Sequence, residues 1–360
     1  MGLTPNEAAQ AFDFGSAAVS VRPQEGGHIN ASFRARTTTG AEFLLQRINS
    51  AVFPDCRAVM RNIEAVTDFI RQQPTDDVLA CQQQIGLVPA ASGGRWLDAD
   101  GEIWRAFPVI PHAVVRTHAE SPAHAASAGL AFGTFLRLLD QYDGPALAVT
   151  LPHFHDTGWY LARLAEVARA DRARRAHAAR PELAECHRLS WLADALPRTA
   201  PRRIVHNDAK LANVLLHAVT DAPLAVIDLD TVMEGSALAD AGDLIRSLAS
   251  PTREDEPDLA RVHADAPMIE AVLEGWFRGA GPVLTTAEQE LAVLAGCVTT
   301  YEQAVRFLSD FLDGDHYYHV ADPMQNLRRT RTQLRLLDSL LSQRDQIERR
   351  VMVLPLDGDS

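Results

Sequence analysis

The sequence predicts an α+β fold of two lobes: a small N-terminal lobe with an antiparallel sheet, and a larger, mostly helical C-terminal lobe. One observation is a series of short, strand-like segments joined by tight turns in residues 1–110. Another is helical periodicity through most of residues 111–360. The third is a pair of short apolar segments within residues 203–234, whose ends carry Asn and Asp side chains. A chain of 360 residues is long enough to form two cores.

Composition and charge exclude several classes of protein. The hydrophobic fraction of 47% and the charged fraction of 22% are typical of globular proteins. The net charge of −13 argues against nucleic acid as the partner, because phosphate backbones select basic surfaces. No apolar run approaches the ~20 residues of a membrane span, and the first residues do not resemble a signal peptide. We therefore expect a cytoplasmic protein with reduced cysteines and no membrane partner.

In the smaller lobe, the first elements are a short helix and three strands. The segment TPNE at residues 4–7 begins the helix with a Thr cap, a Pro and a Glu three residues beyond the cap. Strand-like alternation follows at residues 19–22, 29–36 and 42–47. Gly26 and Gly27, between the first two strands, would let backbone amides approach a phosphate, although the same pair also fits a plain hairpin.

A longer helix and further strands complete this lobe. Pro54 and Asp55 begin a helix that reaches about residue 72, with an apolar stripe at helical spacing. Additional strands are predicted at residues 87–89, 95–97 and 102–109, with a turn at Asp100-Gly101. The segment 105–111 is then the expected connection between the lobes.

In the larger lobe, helical patterns start at Ser121 and are interrupted by a loop at residues 151–157. A single helix is predicted from that loop through residue 180. Later helices are expected after the stretch 235–243, with Ile245 and Leu248 in the first of them, and at residues 268–278, 286–312 and 325–349.

The stretch 203–234 carries the most informative chemistry. Two short strands would present Asp208, Asn213 and Asp228 from adjacent ends. Such oxygen ligands suit Mg²⁺, which usually shares them with nucleotide phosphates. The order of residues matches the phosphotransferase pattern H-x-D-x-x-x-x-N followed by a metal-binding Asp. An ordinary polar turn is the alternative, but it does not account for the whole ordered set.

The segments HNDAKLANVLL and VIDLDTVMEG resemble the aminoglycoside phosphotransferase and choline kinase superfamily. Within it, GGHINASF, FLLQRIN, FHDT and RFLSDFLDGDHYY are most similar to the N-acetylhexosamine 1-kinases and their relatives. Together these segments cover most of the chain. The resemblance implies a protein-kinase-like fold with ATP bound between the lobes, Mg²⁺ as the cofactor and an alcohol as the acceptor.

The resemblance also implies roles for the residues of the central motif. Asp208 would accept the proton of the acceptor hydroxyl, and Lys210 would stabilise charge on the transferred phosphoryl group. Asn213 and Asp228 would hold Mg²⁺ against the phosphates. His206 is expected to brace the loop rather than to titrate, with Asp243 supporting the same loop through hydrogen bonds.

Positions on the nucleotide side follow the family less closely. In related kinases the third strand carries a Lys that pairs with the phosphates, but here residues 43–47 read FLLQR. Arg47 is the candidate cation, or else a solvated residue at the strand end. Glu64 is the candidate partner for a strand cation, or else a solvated flank of its helix. Phe107 and Ile110 lie in the segment that offers backbone groups to adenine in kinases.

By resemblance, the acceptor is the anomeric hydroxyl of a free N-acetylhexosamine, and the product is a sugar 1-phosphate. Asp156 and Thr157 lie in the segment FHDT, where either residue alternatively caps the next helix. Arg306 and Tyr317 lie in the other segment of acceptor type, and Arg306 also suits a surface ion pair. Two further interpretations stay open: a kinase of another alcohol (aminoglycoside, choline or homoserine), or an inactive nucleotide-binding module that docks partners.

Overall fold

The computed structural model describes residues 2–24 and 29–353. Gly26 and Gly27 lie outside the described residues, so the predicted phosphate-binding turn is not part of this description. The first helix, α1 (Pro5–Gln10), begins with the predicted capping box, in which Glu7 N donates to Thr4 Oγ1 and Thr4 N donates to the Glu7 carboxylate. The sequence pattern extends this helix to about Phe14, but it ends at Gln10, because Phe12 forms a bridge to Ala90 and Phe14 stacks on Phe43.

An antiparallel sheet forms the core of the N-terminal part, with strand order β1-β2-β3-β5-β4. Its strands are β1 (Ala18–Pro23), β2 (Ala31–Thr37), β3 (Glu42–Arg47), β4 (Leu97–Ala99) and β5 (Glu102–Pro108). The predicted strand at residues 87–89 does not form, because Pro89 has no N–H to donate to a ladder. The strand predicted at residues 95–97 starts later, since the Arg95 side chain pairs with Asp68 before β4 begins.

The helix α2 (Cys56–Gln72) packs beside this sheet, and its boundaries agree with the predicted ones. Asp55 caps its first turn by accepting a hydrogen bond of 2.9 Å from Ala58 N. The predicted apolar stripe is fully buried, at Val59, Ile63, Val66 and Ile70. Burying this stripe fixes which side of α2 faces solvent.

The C-terminal part is mostly helical. Its helices are α3 (Pro122–Leu139), α4 (Thr157–Ala170), α5 (Arg180–Arg188), α6 (Ala237–Leu248), α7 (Ala266–Ala280), α8 (Thr286–Asp313) and α9 (Gln325–Val351). The prediction of one helix through residue 180 is wrong. Asp171 adopts a left-handed conformation with φ of 40°, and its carboxylate accepts hydrogen bonds from Arg175 N and Ala176 N, which ends α4. Within the described residues no helix is long and apolar enough to cross a bilayer.

Short strands in this part connect the lobes and position the polar motif of residues 206–230. They are β6 (Ala113–Val115), β7 (Arg202–Val205), β8 (Val214–His217), β9 (Pro223–Val226) and β10 (Met233–Ser236). The strand β8 pairs with both β6 and β9, and β7 pairs with β10, all antiparallel. Because β6 directly follows the connection from β5, the N-terminal sheet is tied to the strands that flank the motif.

The helices α3 and α7 pack unusually closely because both carry glycines at their contact. A Cβ atom on Gly129 or Gly133 of α3 would meet backbone atoms of α7, and one on Gly275 or Gly279 would meet backbone atoms of α3. Backbone cannot move aside as a flexible side chain does, so the contact requires glycine on both helices. The helix α3 of this pair contacts β7 and β9, which lead into the polar loops.

We predict that Gly133→Ala destabilises the protein by about 1–3 kcal/mol, the usual cost of overpacking. This loss outweighs the gain in helix propensity of about 1 kcal/mol that alanine brings in an open helix. Gly158→Ala in α4 is the control, because its added Cβ would meet only Asp156 Oδ1, at an ordinary 3.5 Å. Urea unfolding of both variants measures the difference. A Gly133→Ala protein as stable as the wild type contradicts the argument.

Candidate active site

A polar loop, residues 206–213, follows β7 and is called the catalytic loop below. His206 at its start is fully buried, with its ring edge-on to Phe132 and Phe135. Its Nδ1 accepts a hydrogen bond from Asp208 N at 3.2 Å, and its Nε2 donates to Ile227 O at 2.9 Å. With both ring nitrogens engaged, His206 holds the loop in shape and has no free nitrogen for proton transfer.

Asn207 has a left-handed backbone, with φ of 64°, which non-glycine residues rarely adopt. It is held there by Asp240 in the first turn of α6, whose carboxylate accepts hydrogen bonds from His206 N at 2.9 Å and Asn207 N at 2.7 Å. Asp243 was expected to support this loop directly. That expectation is corrected, because Asp243 accepts instead from Arg246 Nε at 2.7 Å, and the helical turn places Asp240 nearer the loop.

Asp208 is the central acid of the loop. Lys210 Nζ donates to its Oδ2 at 2.7 Å, and Asn213 Nδ2 donates to the same oxygen at 3.0 Å. Burial by itself would raise the pKa of Asp208, but the Lys210 ammonium outweighs it and lowers that pKa to about 2. Burial likewise opposes the charge on Lys210, while Asp208 and then Asp228 raise the Lys210 pKa. Asp208 is therefore ionised throughout the physiological range of pH.

Asp228 opens the acid turn, residues 228–230, which follows β9. The turn is tied to the catalytic loop by Ile227 N, which donates to Asn213 O at 2.9 Å. Asp228 is exposed to solvent, but the protein atoms around its carboxylate limit its hydration. This desolvation, followed by the negative charge of Asp230, raises the pKa of Asp228 to about 6. Two carboxylates on adjacent loops thus have opposite pKa shifts.

The residues present fit a divalent cation. Within the described part of the chain, no hydrogen-bond donor reaches the Asp228 carboxylate, and its raised pKa indicates a negative charge that Lys210 and Arg105 offset only in part. Asn213 uses its amide nitrogen on Asp208 and so keeps its side-chain oxygen free of these bonds. No cluster of three or more His, Cys, Asp or Glu side chains forms a metal site by itself among the described residues. Such a sparse set suits Mg²⁺, which takes one or two protein oxygens together with phosphates and water.

A buried ion pair joins the acid turn to the N-terminal sheet. Arg105 of β5 donates to Asp230, and the two side chains are only 1% and 5% exposed. Gln46 Oε1 accepts from Arg105 Nε at 3.0 Å, and Asn30 Nδ2 donates to the other Asp230 oxygen at 2.7 Å. The buried cation beside the acid turn therefore comes from β5, whereas a cation from the third strand was expected from the sequence.

The structure does not bring Arg47 or Glu64 to these carboxylates. Strand alternation in β3 turns Gln46 toward Arg105, so Arg47 lies on the opposite face and pairs with Glu102 at 2.8 Å. Glu64 lies on the side of α2 that faces Arg95, and the two side chains pair at 3.3 Å. The surroundings of both residues agree better with the alternative interpretation, in which each is a solvated surface residue.

The connection between the lobes begins at the end of β5. The Phe107 ring lies 5.2 Å from the Arg105 guanidinium carbon. Ile110 is buried in a small apolar cluster with Ile85 and Ala225, beside the partly buried Ile227. An apolar wall thus lies directly next to the start of the acid turn.

The acceptor-side loop, residues 151–157, lies against α8. Asp156 caps α4 by accepting from Trp159 N at 3.0 Å, as the alternative interpretation of FHDT proposed. Thr157 Oγ1 donates to Glu302 at 2.8 Å and is buried. His155 of the same loop lies between Glu302 and the Asn207 carbonyl. The loop is therefore fixed to both α8 and the catalytic loop.

Arg306 of α8 lies among aromatic rings, with its guanidinium carbon 5.1–6.0 Å from the ring centres of Phe154, Tyr160, Tyr317 and Tyr318. In the described part of the chain, its hydrogen bond goes to Gln303 Oε1 at 3.2 Å, and it forms no ion pair. Tyr317 is held by its backbone, since Tyr317 N donates to Asp310 at 2.8 Å. A guanidinium with spare donors and aromatic walls lies beside the acceptor-side loop.

Several residues of this site were not identified from the sequence, chiefly Arg105, Asp240, His155 and Glu302. Arg105 had a usable signal, because an arginine in the middle of an apolar strand needs a partner if it is buried. The other residues had no comparable signal. Their partners lie far away along the chain, and only the tertiary structure identifies them.

A sequence profile of the phosphotransferase enzyme family matches residues 20–281 of this chain. The matched range contains nearly all of the N-terminal sheet, together with the catalytic loop, the acid turn and α6.

Several solved structures have a similar fold. An aminoglycoside phosphotransferase from Alicyclobacillus acidocaldarius is 13% identical with a TM-score of 0.60, covering 97% of this chain and 98% of that one. An amicoumacin kinase in complex with AMP-PNP, Ca²⁺ and Ami is 13% identical with a TM-score of 0.57, covering 91% and 90%. A choline/ethanolamine kinase family protein from Mesorhizobium loti is 16% identical with a TM-score of 0.54, covering 95% and 96%. These likenesses show the two-lobe, kinase-like fold.

We predict that Arg105→Met lowers the free energy of unfolding by about 3–5 kcal/mol, because Asp230 is left buried without its cation. The double variant Arg105→Met/Asp230→Leu should regain most of that loss. Arg57→Met is the control, since its ion pair with Asp98 is exposed and contributes at most about 1 kcal/mol. Denaturant unfolding measures all three proteins. Equal losses in Arg105→Met and Arg57→Met contradict the role given to the buried pair.

Proposed function

The chain belongs to the phosphotransferase enzyme family, and from this premise we propose that it transfers the γ-phosphoryl group of ATP to the anomeric hydroxyl of an N-acetylhexosamine. The product would be the sugar 1-phosphate. The observation that carries the proposal is the joint placement of Asp208, Lys210 and Asn213 in one hydrogen-bonded group beside the acid turn. The complete set also argues against an inactive nucleotide-binding module.

Asp208 would position the acceptor hydroxyl and take its proton as the oxygen attacks the γ-phosphorus. The bond from that phosphorus to the β–γ bridging oxygen breaks, and ADP leaves with the electron pair. A carboxylate with a pKa of about 2 is a weak base, but it is always ionised and so always able to accept this hydrogen bond. Phosphoryl transfer through a loose transition state requires mainly such positioning, because the hydroxyl loses its proton late in the reaction.

Lys210 and the metal residues would act on the phosphates. The Lys210 ammonium would move from Asp208 toward the transferred phosphoryl group and balance its charge. Asn213 and Asp228 would hold Mg²⁺, which when bound neutralises phosphate charge and fixes the orientation of the nucleotide. The amicoumacin kinase of similar fold was solved in complex with AMP-PNP and Ca²⁺, which supports our proposal that this chain binds a nucleotide and a divalent ion.

The nucleotide base would lie against the connection between the lobes. Phe107 and Ile110 border this region, and the apolar wall of Ile85, Ile110 and Ala225 supplies a surface for a flat ring. Backbone groups of the same segment would hydrogen-bond the adenine edge. Arg105 lies close by, but its pairing with Asp230 makes it an anchor of the acid turn in our proposal.

The surroundings of Arg306 favour a neutral acceptor. A guanidinium that forms no ion pair in the described part of the chain would repel the ammonium groups of an aminoglycoside or choline. It would instead donate hydrogen bonds to hydroxyl or carbonyl oxygens, and the rings of Phe154 and Tyr317 would pack on a sugar face. Asp156 and Tyr317 are further candidates for hydrogen bonds to the acceptor, whereas Thr157 acts through Glu302.

The acceptor is tested by offering ATP and Mg²⁺ with N-acetylglucosamine, N-acetylgalactosamine, other hexoses, choline, homoserine and kanamycin, and by locating the phosphate with ³¹P NMR. We expect phosphate on the anomeric oxygen of an N-acetylhexosamine. Arg306→Ala should raise the KM for that sugar by about 10- to 100-fold, the effect of losing a charged hydrogen bond. Asp208→Asn should lower turnover by ~10² or more while ATP still binds.

Arg335→Ala is the matched control for Arg306→Ala, because Arg335 lies on α9 and pairs there with Asp338 at 2.7 Å. Melting temperatures confirm that each variant is folded. Transfer only to an amino alcohol or an aminoglycoside overturns the sugar assignment and leaves a kinase of another small alcohol. Absence of transfer to every acceptor, with ATP bound, favours the binding-module alternative.

We also predict that Asp228→Ala abolishes Mg²⁺-dependent binding of ATP. The reason is that the charge of Asp228 is only partly offset by Lys210 and Arg105, and Asn213 alone is a weak ligand. Calorimetric titration with ATP, with and without Mg²⁺, measures the difference independently of the acceptor. The control is Asp345→Ala on α9, where the side chain is 80% exposed. Unchanged Mg²⁺ dependence in Asp228→Ala places the metal elsewhere.

A further inference from the structure

His155 connects the acceptor-side loop with the catalytic loop. Its Nε2 donates to Asn207 O at 3.0 Å, and its Nδ1 forms an ion pair with Glu302 Oε1 at 3.2 Å. The ring is largely buried, and Glu302 is 3% exposed. The other oxygen of Glu302 accepts from Thr157 Oγ1 at 2.8 Å, so this carboxylate is fixed before it meets His155.

The partners of the ring determine its protonation. A carbonyl oxygen only accepts, so Nε2 carries a proton, and the Glu302 carboxylate 3.2 Å from Nδ1 favours a proton on that nitrogen as well, which makes the ring an imidazolium. Glu302 Oε1 is buried and has no hydrogen bond of its own, which makes the charged ring its compensation. Burial would lower the pKa of His155, but the Glu302 charge outweighs it and raises that pKa to about 9.

Acidic side chains on two neighbouring helices favour this assignment. Glu302 faces the ring from α8, and Asp240 and Asp243 act on it from α6. The His155 charge in turn lowers the Glu302 pKa, against the effect of burial. Two cations lie farther out, since Arg306 acts on Glu302 and Arg246 pairs with Asp243 at 2.7 Å, so Glu302 is the charged group in direct contact with the ring.

The peptide that His155 contacts is the one that carries Asp208. Asn207 is left-handed, with its N–H bonded to Asp240 and its side chain to Thr231 O at 3.0 Å. The His155 bond to its carbonyl fixes the plane of the peptide between residues 207 and 208, and hence the starting direction of Asp208. His155 is itself left-handed, with φ of 59°, so its own backbone is constrained to reach this carbonyl.

We propose that His155 is a positioning residue for phosphoryl transfer: its imidazolium, anchored on Glu302, holds the Asn207 carbonyl and sets Asp208 against the acceptor. The proposal rests on the function proposed above. Since the ring belongs to the loop whose Phe154 lies beside Arg306, the same contact aligns the acceptor surface with the acid. His155 touches neither reacting atom and acts through Asn207.

The experiment compares His155→Ala, His155→Gln and Glu302→Gln, with the acceptor that the panel identifies. His155→Ala should lower kcat by about 10²-fold, the effect of a displaced catalytic group, with the KM for ATP near the wild-type value. His155→Gln keeps a neutral N–H donor for the Asn207 carbonyl and should recover most of that loss. His153→Gln is the control, because His153 is also left-handed in the same loop but stacks on Trp159.

The pH profile separates positioning from a merely structural role. In the folded protein the pKa of His155 is raised from 6.5 to about 9, so the imidazolium is present at neutral pH and is lost as the pH rises through about 9. The Nδ1 lone pair then faces the Glu302 carboxylate, which repels it, so the wild-type kcat should fall near pH 9, and that of His153→Gln should fall with it. The decline should disappear in His155→Gln, whose amide does not titrate.

Three results overturn the proposal: a wild-type kcat in His155→Ala, an equal loss in His155→Gln and His155→Ala, or an alkaline decline that persists in His155→Gln. If His155→Ala fails to fold, the pH profiles of His155→Gln and Glu302→Gln still decide the question. Glu302→Gln should move the decline to lower pH, because the carboxylate that raises the His155 pKa is gone.

A measurement without any acceptor separates this proposal from the proposed function. The ¹⁵N resonances of the His155 ring in the wild-type protein should show two protonated nitrogens at neutral pH and a titration near pH 9. If the His155 ring is neutral at pH 7, the proposed positioning role of its imidazolium is overturned, whatever the acceptor is. If the wild-type protein phosphorylates none of the sugars, the substrate assignment fails, and the NMR result is unaffected.

Discussion

The rest of the site depends on the buried ion pair between Arg105 and Asp230. Two buried charges are costly, and they are tolerated because Gln46 and Asn30 satisfy the remaining polar atoms. The pair joins the N-terminal sheet to the acid turn. That turn also carries Asp228 and is followed by Thr231, which hydrogen-bonds both His206 and Asn207. One contact thus links the lobe expected to hold the nucleotide to both loops that carry acids.

Strained backbone conformations also occur in this region. Asn207, Asp228 and His155 all have positive φ values without being glycine, and each conformation costs free energy that the surroundings must offset. Asp240 and His155 hold Asn207 from opposite sides, through its N–H and its carbonyl. A backbone held by several partners in this way is typical of sites where a small displacement of a catalytic group lowers the reaction rate.

Electrostatics gives the two acids different tasks. Asp208 has a cation and an amide on one oxygen, and its pKa falls to about 2. Asp228 faces other acids without a donor in the described part of the chain, and its pKa rises to about 6. The first is prepared to orient a hydroxyl at any physiological pH, whereas the second gains most from a bound cation. Environments that separate the pKa values of neighbouring acids are common in active sites.

The sequence by itself determined the two-lobe α+β architecture, most helix boundaries and the grouping of Asp208, Lys210 and Asn213, because each depends on periodicity or spacing within a short segment. Only the tertiary structure decided that Arg105 rather than Arg47 meets the acid turn, and that Asp240 rather than Asp243 supports Asn207. Arg105 and Asp230 are 125 positions apart, and Thr157 meets Glu302 across 145. No local pattern encodes such partners, since packing of helices and sheet selects one charged residue from several that the sequence offers equally.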